Sequence, residues 1–307
     1  MTPAAIVAAV AIVFPPEGAK LPALSKCYVM GSDDCGEGVL GVRCLAPGTT
    51  NCVTVSRTGA WATVVDVTPG TNVVEVGGVK RTFIVESPDT KRQAPSTKHY
   101  PKLEYAADAP KRHPAGRKPR EITVVLDAGH GGCDAGAMSP HGLPEKDANL
   151  RLAKVVRNEL VKRGYKVVMT REDDAFIGLY DRPKVAHKAN ADLFISIHHN
   201  APGYSTNPFE ARHQEVYAWN ALGERLAKAI NARMADVAPE LPNEGVKHAN
   251  FAVTRNPEIP SCLIEADFIT HPDGECAAWD VSRRPRLAAA IADGIADWAG
   301  LRDTAQN

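Results

Sequence analysis

Two histidines and two glutamates occupy positions in this chain that point to metal chemistry. His130, His198 and Glu265 each lie at the end of an apolar run, or just past one, and Glu145 precedes a helical pattern. Two imidazoles and one carboxylate are a common ligand set for catalytic zinc, which keeps a fourth position open for water. A second carboxylate nearby can take the proton of that water. The pattern therefore predicts a zinc hydrolase.

The elements that must position these residues alternate between strand and helix from residue 121 to 301. Strands are predicted at 122–126, 165–169, 193–198, 214–219, 251–254 and 261–265, and helices at 148–163, 181–189, 222–234 and 287–298. This alternation predicts an α/β fold, an open and mostly parallel sheet with helices on both faces. Ligands bind beyond the carboxyl ends of strands in such sheets. We expect His130, His198 and Glu265 to meet there.

The amino-terminal part of the chain has a different pattern. Residues 1–88 contain seven short, valine-rich runs separated by proline and glycine turns, which predicts an immunoglobulin-like β-sandwich. No cluster of titratable residues lies in it, so no chemistry is expected there. Residues 89–119 are rich in proline and basic side chains, which indicates an extended linker. The catalytic domain is then predicted at 120–303.

Composition excludes several classes of function. The chain has 36 basic and 36 acidic side chains, so no overall positive field favours nucleic acid as a partner. No apolar run approaches the roughly 20 residues that a membrane-spanning helix needs. Four of the seven cysteines crowd into residues 27–52, where they allow three pairings and suit an oxidising compartment. No CxxC pair indicates a thiolate metal site, and Cys133 is interpreted as a small loop residue.

Five motifs appear in an order that resembles one enzyme family. They are Asp-Ala-Gly-His-Gly-Gly at 127–132, Glu-Lys-Asp at 145–147, Thr-Arg at 170–171, Ser-Ile-His-His-Asn at 196–200 and Leu-Ile-Glu-Ala-Asp-Phe at 263–268. Residues 121–300 thereby resemble the zinc-dependent N-acetylmuramoyl-L-alanine amidases of the amidase-3 type, which cleave peptidoglycan. The amino-terminal sandwich resembles, more weakly, a β domain found ahead of some bacterial amidases.

The resemblance implies a role for each matching residue. It makes His130, Glu145 and His198 the ligands of Zn²⁺. It makes Glu265 the catalytic acid/base.

Three further residues are expected to lie near the ligands and to support the site. His199 should point away from its neighbour in an extended backbone, beside the ligands or at the rim. Asn200 is expected to orient the following loop and Arg182 to form a salt bridge.

Some positions depart from the family pattern. Asp267, His271 and Glu244 stand where glycine, asparagine and arginine are common, and we expect all three on the rim of the site. The stretch from residue 201 to 214 is too short for the inhibitory helix that covers zinc in some family members. The sequence therefore predicts an open, accessible site.

The implied function is zinc-dependent hydrolysis of the amide bond between N-acetylmuramic acid and L-alanine in peptidoglycan, for cell-wall remodelling, daughter-cell separation or recycling. One alternative is a non-catalytic peptidoglycan-binding protein with this fold, although all four functional positions are filled. A peptidase acting on stem peptides is another. The expected partners are peptidoglycan or muropeptides and an activator protein, and a monomer is the default.

This function places the protein in the cell envelope, periplasmic or secreted. The apolar run at residues 4–14 is then either a first strand or the remainder of a trimmed signal peptide, and we favour the second interpretation.

Overall fold

The chain forms an amino-terminal all-β region followed by an α/β region in the computed structural model, which confirms the predicted fold class. The structure describes residues 10–34, 38–45, 48, 50–88, 116–256 and 258–301. The first nine residues, Cys35 and residues 89–115 of the predicted linker lie outside the described residues. Arg117, near the end of that predicted linker, is ion-paired with Asp192 of the α/β region at 2.5 Å.

Eight strands form the β region. They are β1 (Val10–Phe14), β2 (Lys20–Leu21), β3 (Lys26–Asp33), β4 (Gly38–Cys44), β5 (Thr50–Val55), β6 (Ala60–Asp66), β7 (Gly70–Val76) and β8 (Val79–Val85). One sheet has the order β1-β3-β6 and the other β2-β8-β7-β4-β5. Both sheets contribute to one core, in which Trp61 and Phe83 are fully buried. Only β2 is missing from the prediction, because two residues are too few to show alternation.

The α/β region contains a six-stranded sheet. Its strands are β9 (Thr123–Ala128), β10 (Lys166–Met169), β11 (Leu193–Asn200), β12 (Gln214–Ala218), β13 (Asn243–His248) and β14 (Ser261–Phe268). Their order is β10-β9-β11-β14-β12-β13. Strands β10, β9, β11 and β14 are parallel to one another. Strands β12 and β13 run in the opposite direction, because β12 pairs antiparallel with β14. The sheet is thus mostly parallel, as predicted.

Helices cover both faces of this sheet. They are α1 (Glu145–Lys162), α2 (Arg182–Lys188), α3 (Ala221–Val237), α4 (Pro272–Trp279) and α5 (Arg283–Trp298). The main core lies between one face and α1, α3 and α5. The opposite face packs Val125, Phe194 and Leu263 against Ala186 of α2. The polar side chains that come next on this face of the same strands belong to the functional site. No described helix is both long enough and apolar enough to cross a bilayer.

Several element boundaries differ from the prediction. Helix α1 begins at Glu145, three residues early, because the extended Pro144 directly precedes it and acidic side chains favour a helix N-terminus. The predicted strand at 251–254 is a turn, and the edge strand is β13, whose polar residues hide its alternation. Strands β11 and β14 continue past His198 and Glu265, so both residues lie inside strands and not at their ends.

Helices α3 and α5 meet so closely that one glycine is required between them. A Cβ atom on Gly294 would lie 2.5 Å from Cα of Ile230. We predict that Gly294→Ala lowers the free energy of unfolding by about 1–3 kcal/mol, because backbone must move to admit the methyl group. Thermal and urea denaturation measure this. Gly203→Ala, where nothing lies within 4 Å, is the control. Equal stability of the two variants would contradict this packing.

Candidate metal centre and active site

Three side chains converge at the carboxyl end of the parallel strands. Nε2 of His130 lies 3.2 Å from Oε2 of Glu145, and Nδ1 of His198 lies 3.0 Å from Oε1 of the same carboxylate. The candidate ligand atoms of the three residues all lie within 4.8 Å of one another. The two imidazole rings are nearly perpendicular, with centroids 4.9 Å apart. The structure therefore brings together the three residues that the sequence singles out as ligands.

The carboxylate of Glu145 is held from several directions. Only 4% of the residue is exposed, and its oxygens accept hydrogen bonds from the backbone N–H groups of Ala137 and His199 and from the amide of Asn149, at 2.9–3.2 Å. Burial alone would raise its pKa, but His130 and His198 hold the pKa well below its ordinary value. Glu145 is therefore held as an ionised carboxylate, with its negative charge facing the two imidazoles.

His130 is fixed by a carboxylate behind it. Its Nδ1 lies 2.9 Å from Oδ2 of Asp134, so its Nε2 faces Glu145. Burial lowers the pKa of His130, but the two carboxylates outweigh burial and raise the pKa to about 9. A carboxylate on the far nitrogen of a histidine is the usual arrangement for orienting a metal ligand.

Two buried arginines hold the backbone around His130, which has a positive φ of 60°. The guanidinium of Arg182 donates to the carbonyls of Ala128 and His130, and that of Arg171 donates to the carbonyls of Ala128 and Gly129, all at 2.9–3.0 Å. A non-glycine residue in this conformation persists only where its surroundings determine it. The arginines supply those surroundings.

Two glycines leave the space that the ligands occupy. A Cβ atom on Gly129 would lie 2.2 Å from the ring of His198. One on Gly136, which also has a φ of 67°, would lie 2.6 Å from Oε2 of Glu145 and 2.7 Å from the ring of His130. The ligand side chains therefore fit only against bare backbone.

This donor set fits zinc. Two imidazole nitrogens and one carboxylate oxygen form the ligand set of many catalytic zinc sites, with bonds of about 2.0–2.2 Å. Glu145 carries a buried negative charge and the neighbouring carboxylates raise the pKa of His130, so the cluster favours a positive charge, which a metal ion would supply in place of the imidazole proton. His130 and His198 remain partly exposed, so a fourth position can open to solvent.

Glu265 lies beside this centre on β14. It pairs in register with His198 on β11 and with Glu215 on β12. Burial, and then the charges of Glu145 and Glu215, raise its pKa well above the ordinary value. Its Oε2 atom is buried without a hydrogen-bond partner among the described residues. A carboxyl group in this environment holds a proton more tightly than an ordinary glutamate, and this favours a role that includes proton donation.

Glu215 has the opposite environment. Its oxygens lie 2.6 Å from the ammonium of Lys247, 2.7 Å from the amide of Asn200 and 2.8 Å from the hydroxyl of Tyr217. Burial raises its pKa, but Lys247 and Tyr217 outweigh that effect and lower it. Neighbouring carboxyl groups whose environments separate their pKa values are typical of acid/base sites. Glu215 stays charged and keeps Glu265 protonatable.

Arg182 and His199, which the sequence predicts near the ligands, both make specific contacts in the structure. Arg182 forms a buried ion pair with Asp127 at 2.8 Å, as expected, and Asp127 also accepts from Thr170 and Ser196. His199 does point away from His198, but it is buried against Asn149 and not at the rim. Burial lowers its pKa to about 4, so it is neutral.

The expectation of a rim position fails for Asp267. Its carboxylate is fully buried between Arg212 and Arg283, with contacts of 2.8–3.1 Å. At a rim position water would stabilise the charge of this carboxylate, whereas here the two arginines stabilise it. His271 caps the N-terminus of α4 by accepting from the backbone of Asp273, and Glu244 lies 3.6 Å from Lys247.

Sequence reasoning missed three supporting residues: Asp134, Asn149 and Glu215. The first two follow a ligand by four residues, and for Asn149 that spacing places it on the same helix face as Glu145. Their spacing could have revealed them. Glu215 depends on the register between β12 and β14, which no local pattern encodes.

The loop between β11 and β12, residues 201–213, contains no helix, and the structure describes all of it. The inhibitory helix that the short sequence rules out is accordingly missing from this loop. The two histidines among the candidate ligands remain partly exposed.

Comparisons with known proteins identify the family of the chain. The family model described as N-acetylmuramoyl-L-alanine amidase matches residues 124–297. The amidase AmiA of Escherichia coli is 34% identical over 218 residues, which cover 56% of this chain and 74% of AmiA. The structure of the amidase AmiC2 of Nostoc punctiforme is 32% identical with a TM-score of 0.55, covering 59% of this chain and 98% of that one. The CwlD amidase of Clostridioides difficile, solved in complex with the GerS lipoprotein, is 27% identical with a TM-score of 0.51, covering 59% and 99%.

An α/β fold that brings two histidines and a carboxylate together near the carboxyl ends of its parallel strands fits a metal-dependent hydrolase. Because the family model covers more than half of the chain, the assignment is specific. The chain belongs to the N-acetylmuramoyl-L-alanine amidase family and is an enzyme of peptidoglycan amide hydrolysis.

The contact between Asn149 and Glu145 should support metal binding. We predict that Asn149→Ala weakens zinc affinity about 10–100-fold, because a ligand then loses the group that orients it. Competition with a zinc-chelating dye measures this affinity. Asn158→Ala, at an exposed position of the same helix, is the matched control. Equal affinities for the two variants would show that Asn149 does not support the site.

The charge of Glu215 should set the pH dependence of the reaction. When Glu265 acts as a base, activity rises as pH passes upward through its pKa. Glu215→Gln removes a negative charge that raises this pKa, so we predict that the rising limb of kcat/KM moves to lower pH. Glu244→Gln, on the exposed side of Lys247, is the control. A limb that stays in place or moves upward would contradict this role.

Proposed function

We propose that the chain hydrolyses the amide bond between N-acetylmuramic acid and L-alanine with zinc held by His130, Glu145 and His198, and with Glu265 as acid/base. The convergence of three ligand-type atoms beside a buried carboxyl group of raised pKa carries the proposal. When bound, zinc supplies Lewis acidity toward the amide carbonyl and lowers the pKa of water.

The residues of the chain supply the rest of the reaction. Asp134 keeps the Nε2 atom of His130 directed at the centre, and Glu145 stays ionised within its own hydrogen bonds. Glu265 accepts a proton from the water that attacks the lactyl amide carbonyl. It then donates that proton to the leaving amine of L-alanine, which makes amine expulsion favourable. The raised pKa of Glu265 lets one carboxyl group perform both transfers.

The proposal extends to the organisation and place of the enzyme. Residues 1–88 form an accessory β-sandwich of immunoglobulin type, residues 89–119 a linker and residues 120–303 the catalytic domain. The substrate is peptidoglycan or its muropeptides, so the enzyme acts in the cell envelope, periplasmic or secreted. A protein activator is included because the related CwlD amidase was solved with a lipoprotein bound. Activity of the purified chain without any partner would remove the activator from the proposal.

A variant of the acid/base and a variant of a ligand should both lose turnover but should differ in whether they keep zinc. We predict that Glu265→Ala loses at least about 10²-fold in turnover but keeps zinc, because the proton acceptor is lost and the ligands are not. His130→Ala should lose both zinc and turnover. Mass spectrometry of digested peptidoglycan measures free stem peptide that begins at L-alanine, and metal analysis measures zinc.

Glu244→Ala, at an exposed glutamate, is the control for these variants. Chelator should abolish the product and added zinc should restore it. Loss of zinc from Glu265→Ala would assign Glu265 to the ligand shell instead. Products in which the amine of L-alanine stays blocked would indicate a peptidase. Intact muropeptide in every sample would indicate a binding protein or an enzyme that still lacks its activator.

A further inference from the structure

The loop at residues 201–213 is attached to the β region. The backbone N–H of Tyr28 on β3 donates to the carbonyl of Tyr204 at 2.7 Å, and the hydroxyl of Ser205 lies 3.4 Å from the carbonyl of Lys26. These contacts occur where β3 has no partner on one side, because β1 pairs only with residues 30–33 of β3. The loop thus occupies an edge of the three-stranded sheet that β1 leaves open.

Aromatic side chains reinforce this attachment. Tyr204 stacks on Phe14 and Tyr28 of the β region, with ring centroids 5.9 and 6.5 Å apart, and those two rings stack on each other at 4.4 Å. Phe209 of the same loop packs against the buried cluster of Tyr28, Met30 and Ala62. Two loop residues therefore pack their rings against one face of the β region, with Tyr204 still 40% exposed.

A second loop of the α/β region contacts the β region separately. Nε2 of His141 lies 3.0 Å from the carbonyl of Thr58 in the turn before β6. Its Nδ1 lies 2.6 Å from Glu275 of α4, whose other oxygen accepts from Ser139. His141 lies four residues before the ligand Glu145. Both loops that touch the β region are therefore directly connected to ligand-bearing segments.

The first loop has both of its ends in the active site. It begins after Asn200, two residues past the ligand His198, and the amide of Asn200 bonds to Glu215. Near its other end Arg212 holds the buried Asp267, two residues after Glu265. A displacement of this loop would therefore be transmitted to the ligand strand and to the strand that carries the acid/base.

We propose that the β region is a structural part of the amidase site. It docks onto residues 139–143 and 201–213 and thereby positions the two loops that border the metal centre. Full turnover requires this docking. The catalytic half of this inference rests on the proposed function, and the docking half does not. The β region would then act through position, without contributing a group to the chemistry.

The test uses the full chain loaded with zinc. Tyr204→Asp places a charge in the aromatic stack, Tyr204→Phe keeps the stack, and Val281→Asp adds the same charge at a residue 75% exposed that is outside both docking loops. Small-angle X-ray scattering measures the radius of gyration, and metal analysis measures bound zinc. Release of L-alanine-terminated peptide gives kcat and KM. His141→Ala tests the second contact independently.

We expect Tyr204→Asp to increase the radius of gyration and to lower kcat/KM about tenfold at unchanged zinc content, because small misplacements of site residues cost this much or more. His141→Ala should change both quantities in the same direction, and Tyr204→Phe and Val281→Asp should match the parent chain. Unchanged dimensions in Tyr204→Asp would overturn the docking. Increased dimensions with full activity would overturn the role in turnover. A parent chain that stays inactive even with an activator present would refute the proposed function, while scattering would still decide the docking.

Discussion

A carboxylate that is almost wholly removed from water has to be compensated, and in this protein the compensation of Glu145 organises the site. Its oxygens face two imidazoles, two backbone N–H groups and one amide. Removing a charge from water without such partners costs several kcal/mol. A bound cation would complete the set. The ligands, the loop that carries Ala137 and the first turn of α1 are therefore held in place by one buried charge.

The fold makes this compensation available from distant parts of the sequence. Three parallel strands bring Asp127, His198 and Glu265 to the same edge, and the antiparallel β12 adds Glu215. Arg182 neutralises Asp127 and, like Arg171, holds carbonyls of the turn that ends in His130. The left-handed backbone of His130 is thus enforced by charge pairs beneath the metal centre.

The acid/base role proposed for Glu265 depends on a contrast between two carboxyl groups. Glu215 has the ammonium of Lys247, the amide of Asn200 and a tyrosine hydroxyl, whereas one oxygen of Glu265 has no hydrogen-bond partner among the described residues. Because the two glutamates are paired across β12 and β14, the fixed charge of one raises the pKa of the other. Strand register, and not the identity of Glu265 alone, gives that residue its chemistry.

Local patterns were sufficient to predict the strand that precedes His130 and the strands that carry His198 and Glu265, because apolar runs are visible in sequence. They did not predict where β11 and β14 end. Glu145 required the family resemblance, since a glutamate near a helix start is common for other reasons. Asp267 was wrongly expected at the rim, because its two arginines lie 55 and 16 residues away. Contacts between the β region and the loops, such as Tyr204 with Phe14, were equally invisible, because packing between separate regions has no periodicity of its own.

The central claim is that two imidazoles and one carboxylate hold zinc at this edge of the sheet. X-ray absorption at the zinc K-edge of the zinc-loaded chain tests it most directly. The account predicts two imidazole nitrogens and light oxygen ligands at about 2.0–2.2 Å, with loss of one imidazole contribution in His198→Ala. A sulfur ligand at about 2.3 Å, or a spectrum that His198→Ala leaves unchanged, would contradict it.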